Sequence, residues 1–243
     1  MKIFILPAFL FCLIAGDVWA SEGFAVVELF SSEGCSSCPP ADDLLRELTQ
    51  QARADNKRIF TLSFQVDYWN DLGWKDPFSS PQFTQRQYQY AKALGSSSVY
   101  TPQMVVNGQD GFVGSDGNKA TKSIERFVNM PAANGISLEM IDGNAGQIEL
   151  SYTCDQLSPQ AVIHFALVES GLESRVTAGE NQGRILKHEH IVRELRTVPL
   201  TQLKGIVIFQ NPAVENISRF SIIAYVQNEA DMHILGADGV DLK

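Results

Sequence analysis

Apolar residues recur along the first half of the chain in two different rhythms. Phe24 to Phe30 is a short, nearly continuous apolar run, as in a strand buried on both faces. Ala41, Leu44, Leu45, Leu48 and Ala52 then return at helical spacing. RIFTLSFQV (58–66) predicts a second strand. From Pro81 to Leu94 the spacing predicts a second helix, with Phe83, Gln87, Tyr90, Ala91 and Leu94 on one face and Gly95 as its stop. QMVV (103–106) predicts a third strand, Asn107-Gly108 a turn, and Phe112-Val113 a short fourth strand. Ser115 or Asp116 can cap a third helix that buries Ala120, Ile124, Phe127 and Val128.

The expected order is therefore β-α-β-α-β-β-α: a parallel pair made by crossover, an antiparallel hairpin and a closing helix. After Met130-Pro131 the rhythm changes. ISLEMI, GQIELSYT, AVIHFALVE, GIVIFQN and RFSIIAYVQ are strand-like and separated by Gly, Asn, Asp and Pro. The expectation is an α/β unit over 21–130 followed by an all-β, sandwich-like unit over 131–243.

The amino end adds a compartment. Lys2, an apolar stretch from Ile3 to Ala15 and the small residues of Val18-Trp19-Ala20 have the layout of a cleavable signal over 1–20. The stretch is too short to span a bilayer, so the expectation is a periplasmic or secreted chain with no membrane anchor once the signal is removed. Without Lys2 and Asp17, 18 basic residues face 27 acidic ones, and the net charge stays at −9. Such a surface repels phosphate backbones and excludes a nucleic-acid partner. Oligomeric state is not legible.

Removing the signal also removes Cys12 and leaves Cys35, Cys38 and Cys154. A disulfide between Cys35 and Cys38 closes a loop too short to restrain the unfolded chain much, which invites a chemical explanation. A Cys-x-x-Cys where a strand hands over to a helix is a redox signature. Helix N–H groups converge on Cys35 and stabilise its thiolate, the form that attacks a disulfide. Cys38, one turn on, attacks the mixed disulfide and releases the product. Pro39 and Pro40 suit the first helical turn. This reading requires an exposed sulfur at position 35. Zinc would require further Cys or His ligands at compact spacing, and none lies nearby, so no metal or other cofactor is expected. Cys154 reads as a buried free thiol.

Thr101-Pro102 precedes the third strand, on the edge expected to carry the Cys-x-x-Cys. A cis proline there would hold the chain back from the sulfurs and leave the Thr101 backbone free to pair with an extended substrate. The plainer alternative is a trans proline opening a strand.

On these features the segment from Phe24 to Asn129 resembles the thioredoxin superfamily. VELFSSEGCSSCPPADDLL, VDYWNDLGWKDPF, VYTPQMVVNG and GENQGR are similar to a family of secreted bacterial proteins in which a thioredoxin-like domain with a CSSCPP motif precedes a β-rich extension. That family has no assigned substrate, so a reaction is implied only by analogy with thioredoxins. The resemblance also implies that Glu28 is the buried acid that takes the Cys38 proton, the alternative being a carboxylate facing solvent at an edge. In DYWNDLGWKDPFSS (67–80), Asp67, Trp69, Trp74 and Phe78 are groove candidates for extended protein; packing against the β-rich half is the competing explanation.

The leading expectation is a periplasmic thiol–disulfide oxidoreductase that exchanges with protein thiols or disulfides and with a redox partner of unknown identity. The other is a binding module of the same fold, for protein or copper(I), in which the Cys-x-x-Cys is static.

Overall fold

The computed structural model describes residues 22–141, 146–210 and 216–242; the expected signal over 1–20 lies outside them. Its centre is β1 (Ala25–Ser31), every residue of which is buried. β1 runs parallel to β2 (Ile59–Gln65) and antiparallel to β3 (Gln103–Val106). β3 turns through Asn107 and Gly108 into β4 (Asp110–Val113). Both turn residues have positive φ, 47° and 69°, the geometry for which Asn-Gly is suited.

The odd and even residues of β1 serve different layers, as strand geometry requires. Ala25, Val27 and Leu29 pack against α1 (Pro39–Ala54) and α3 (Gly117–Val128) through Ala41, Leu45, Ala120 and Phe127. Val26 and Phe30 pack against α2 (Pro81–Ala93) and the second half of the chain, with Phe64, Phe83 and Tyr90. Ser80 caps α2 by accepting from the Gln82 N–H, and Asp116 caps α3 by accepting from Lys119.

The second half supplies β5 (Ile136–Ile141), β6 (Gln147–Cys154), β7 (Ala161–Glu169), β8 (Leu172–Arg175), β9 (Ile185–His188), β10 (Ile191–Pro199), β11 (Lys204–Gln210), β12 (Phe220–Asn228) and β13 (Ile234–Asp241). Four of these extend the first sheet, giving the order β13-β12-β7-β10-β2-β1-β3-β4. The join is parallel pairing of β10 with β2 at Ile191 and Ser63. The boundary near residue 130 is thus a change of rhythm along the chain, and the sheet continues across it. A second sheet, β11-β6-β5, covers the far half through a core of Leu150, Phe165, Phe209 and Ile222.

β8, β9, β10 and β13 had no clear strand pattern in the sequence. β13 contains Gly236 and Gly239 where backbones and rings crowd it: a Cβ on Gly236 would meet the Asn134 carbonyl oxygen at 1.6 Å. Its glycines answer close approach, at the expense of strand propensity. β8 and β9 form a separate hairpin, and β9 packs against α1. That hairpin carries a long connecting loop over the amino end of α1.

Candidate active site

Between β1 and α1 the chain winds directly into a helix. The Cys35 N–H donates to the Ser32 carbonyl at 3.1 Å and the Cys38 N–H to the Cys35 carbonyl at 3.2 Å. Pro39 and Pro40 occupy the first helical positions, where an N–H would have no intrahelical acceptor. Cys35 and Cys38 are joined by a disulfide at this terminus.

The Thr101–Pro102 peptide is cis. Its loop lies on the same side as the disulfide: a Cβ built on Gly114 would sit 3.1 Å from the Pro102 Cβ and 3.2 Å from that of Ala41. Trp69 ties the two loops together. Its Cβ would lie 3.2 Å from a Cβ on Gly34, and its Nε1 donates to Thr101 Oγ1 at 2.8 Å.

The expected exposure of Cys35 is not found. Both cysteines are fully buried. The cover is the loop joining β8 to β9, residues 176–184. Asn181 donates its side-chain amide to the carbonyls of Glu33 and Cys35, each at 2.9 Å, and the Ser36 N–H donates to Glu180 Oε2 at 3.0 Å. These hydrogen bonds hold the covering loop to the backbone around the disulfide, and Cys35 Sγ lies 3.3 Å from Ser37 Oγ.

A buried ionic cluster lies beside the disulfide. Glu33 pairs with His188 at 3.1 Å, accepts from Trp74 Nε1 at 2.8 Å, and its own N–H donates to Asp76 Oδ2 at 2.8 Å. Burial works against the Glu33 charge, but hydrogen bonds from His188, Trp74 and Ser174 outweigh it and hold the carboxyl below its usual range. Burial likewise disfavours the His188 cation, yet Glu33, Asp42 and Asp76 together raise it. Burial pushes Asp76 up to about 6.

Asp42 is the member of this cluster carried by α1, four residues after Cys38. Its N–H bonds to the Cys38 carbonyl at 3.2 Å, placing its side chain on the same helix face one turn on. Oδ2 accepts from Ser31 Oγ at 3.1 Å, while Oδ1 is buried with no hydrogen-bond partner among the described residues. Burial pushes the carboxyl from an ordinary 3.8 to about 7, against the pull of His188 and Ser31.

Glu28 faces away from all of this. As an even residue of β1 it lies on the α2 layer, where it pairs with Arg86 at 2.7 Å and accepts from Tyr90 and Tyr225. Burial opposes the Arg86 charge, but Glu28 more than offsets it and raises the guanidinium. The proton-acceptor role expected of Glu28 is corrected accordingly: strand alternation sends its side chain to the other side of the sheet from α1. Two groove candidates, both half-buried, have partners within the fold. Asp67 accepts from the Thr84 hydroxyl at 2.5 Å, and Phe78 packs edge-on to His188 and beneath Arg193. Trp69 and Trp74 do border the disulfide loop, but as braces between loops.

His188 and His190 point to different places. His190 sits beneath Arg53 and Thr61, and burial pushes it down to about 4. Cys154 lies in the second sheet, where burial, with Asp155 adding to it, pushes the thiol up to about 11. Glu33 and Asp42 went unnoticed in the sequence although both flank the cysteines within SSEGCSSCPPADD. His188 and Asn181 come from more than 140 residues away, and no spacing pointed to them.

The family described as "Protein of unknown function (DUF1223)" matches residues 26–227. A crystal structure of an Agrobacterium tumefaciens protein is similar at a TM-score of 0.67 and 27% identity, covering 92% of this chain and 99% of its own. HBP35 of Porphyromonas gingivalis is similar at a TM-score of 0.63 and 15% identity, covering 91% of this chain and 76% of its own, a likeness of fold alone. None of the curated proteins compared with the chain matches it.

Proposed function

This chain belongs to the DUF1223 family, and from the geometry of its disulfide site we propose that it exchanges thiols and disulfides with protein partners. The observation that carries this reading is the meeting of the Cys35–Cys38 disulfide, the amino end of α1 and the Thr101–Pro102 loop, linked by Trp69. The order and pairing of β1 to β4 with α1 to α3 support a thioredoxin-like unit, to which the β-rich half adds four strands and the covering loop. The signal-like amino end supports an oxidising, periplasmic or secreted setting.

In this mechanism the Cys35 thiolate, stabilised by the helix terminus, attacks a substrate disulfide and one substrate sulfur leaves as a thiolate. Asp42 accepts the Cys38 proton. The Cys38 thiolate then attacks Cys35; the intramolecular disulfide forms, the bond to substrate breaks, and the second substrate sulfur departs with the electron pair. A carboxyl that titrates near neutrality one turn from Cys38 suits that proton transfer, whereas Glu28 is committed to Arg86. The cycle closes when a dithiol donor reduces the pair, and every step runs equally in reverse.

The full coverage of Cys35 favours a second reading, a static disulfide in a binding module. Trapping separates the two. Cys38→Ala, incubated with a peptide disulfide, is expected to accumulate a mixed disulfide at Cys35 and none at Cys154. No adduct at Cys35, even when Asn181→Ala loosens the cover, rejects exchange.

A further inference from the structure

The covering loop has the construction of a movable part. Its neck is closed by two bonds, Val176 N–H to the Arg184 carbonyl at 3.0 Å and Gly183 N–H to the Val176 carbonyl at 2.9 Å. Gly179 and Gly183 take positive φ, 73° and 84°, which lets the turn double back tightly. Gly179 also packs on Trp74, where a Cβ would come within 3.1 Å of the Trp74 Cβ. Above the neck, its direct hydrogen bonds to the disulfide loop are one from Ser36 to Glu180 and two from Asn181. Arg184 Nη1 donates to Asn181 Oδ1 at 3.1 Å and so orients the amide.

The charge arrangement is unusual for a site meant to hold a thiolate. The Glu180 carboxylate, itself exposed, occupies an N–H at the amino end of α1. Hydrogen bonds from Ser36 hold it below the ordinary carboxylate range. A neutral disulfide tolerates that carboxylate. A thiolate at Cys35 does not, because both anions draw on the same helix terminus. The other charges around the disulfide leave this conflict in place: Glu33, Asp42 and Asp76 are acidic, His188 is already paired with Glu33, and Arg184 of the covering loop is turned to Asn181 Oδ1. Of the two anions, only Glu180 has water to move into.

We propose that the 176–184 loop is a redox-sensitive cover, closed on the Cys35–Cys38 disulfide through Glu180 and Asn181 and lifted by the negative charge at Cys35 after reduction. The idea rests on the exchange reading and deepens it. A dithiol donor delivers two electrons to the disulfide and is itself oxidised to a disulfide; one of its two protons ends on Cys38, the other is released to water, and Cys35 is left as a thiolate. Charge repulsion then displaces the carboxylate, the loop swings out on its neck, and Cys35 meets its substrate. Reoxidation removes the charge, the loop returns, and the stored disulfide is shielded from small thiols.

Amide hydrogen exchange on the full mature chain tests this. In the parent protein, exchange at Ser36, whose N–H bonds to Glu180, is expected to rise at least tenfold on reduction, while Gly183 in the neck stays protected. Glu180→Gln keeps an acceptor for Ser36 without the charge, so reduction is expected to change its exchange less than twofold. The paired substitution Cys35→Ser with Cys38→Ser removes the disulfide without adding charge and is expected to stay closed. Unchanged protection in the reduced parent overturns the cover, as does equal opening in Glu180→Gln or in the serine pair. If no thiol reductant reduces the parent disulfide, the exchange reading falls first and the cover with it, a result distinct from a reduced chain that stays closed.

Discussion

Asn181 donates a hydrogen bond to the backbone carbonyl of Cys35 across 146 residues of sequence. It is the fully buried polar side chain of the covering loop, and the same amide reaches Glu33. Asn181→Ala deletes both donors and leaves two carbonyls to find water. The expected result is reduction of the disulfide by dithiothreitol about tenfold faster than in the parent. Stability should fall by about 1–3 kcal/mol, the usual cost of unpaired buried polar groups.

Glu28 and Asp42 are both buried acids near the cysteines in sequence, and they should behave in opposite ways. Glu28→Gln strands the Arg86 charge among Tyr90, Tyr225 and Gln227. Breaking a buried pair by removing one partner typically costs about 3–5 kcal/mol. Denaturant melts should show that loss, while the rate at which Cys38 resolves a mixed disulfide at Cys35 stays within about twofold of the parent.

Asp42→Asn should do the reverse. Without a proton acceptor one turn from Cys38, resolution at pH 7 is expected to slow by about 100-fold, the low end of general-base contributions. Stopped-flow quench measurements read that rate directly.

Stability should move the other way in the same variant. The folded chain holds the Asp42 proton up to about pH 7, whereas the unfolded chain releases it near 3.8. The native state therefore binds more protons between those values, and Asp42's contribution to stability declines as pH rises through them. The full gap corresponds to about 4 kcal/mol. His190, pushed down to about 4, works in the opposite sense, so the parent profile alone would mask the effect. The difference between Asp42→Asn and the parent should grow in the variant's favour from pH 4 to pH 7 and level off above. A flat difference would show that Asp42 is already ionised in the folded chain.

How far the sequence reveals this arrangement depends on whether the information is local. The helix expected over Pro81–Leu94 is observed over Pro81–Ala93, because periodicity, a Ser cap and Gly95 all lie within one segment. The Asn107-Gly108 turn and the strands around it are equally local. Glu28 shows where this stops. A continuous apolar run says that both faces are buried, yet not which layer each face meets, and the role of the acid turns on that. Strands β10 and β13 were hidden for another reason: Arg193, Glu194 and Arg196 in one, and Gly236 and Gly239 in the other, answer to neighbours brought in by the fold. The covering loop was visible only as GENQGR, a glycine-bracketed polar turn whose position over the disulfide depends on pairing between β8 and β9.

The central claim is that the Cys35–Cys38 bond is made and broken in use. Equilibration of the chain in a graded series of thiol–disulfide buffers, with the pair read by alkylation and mass, measures it directly. The account predicts a reversible two-electron transition at a potential above about −300 mV, in the range of exchanging pairs. A pair that stays oxidised at potentials well below that value, as structural disulfides do, would contradict it.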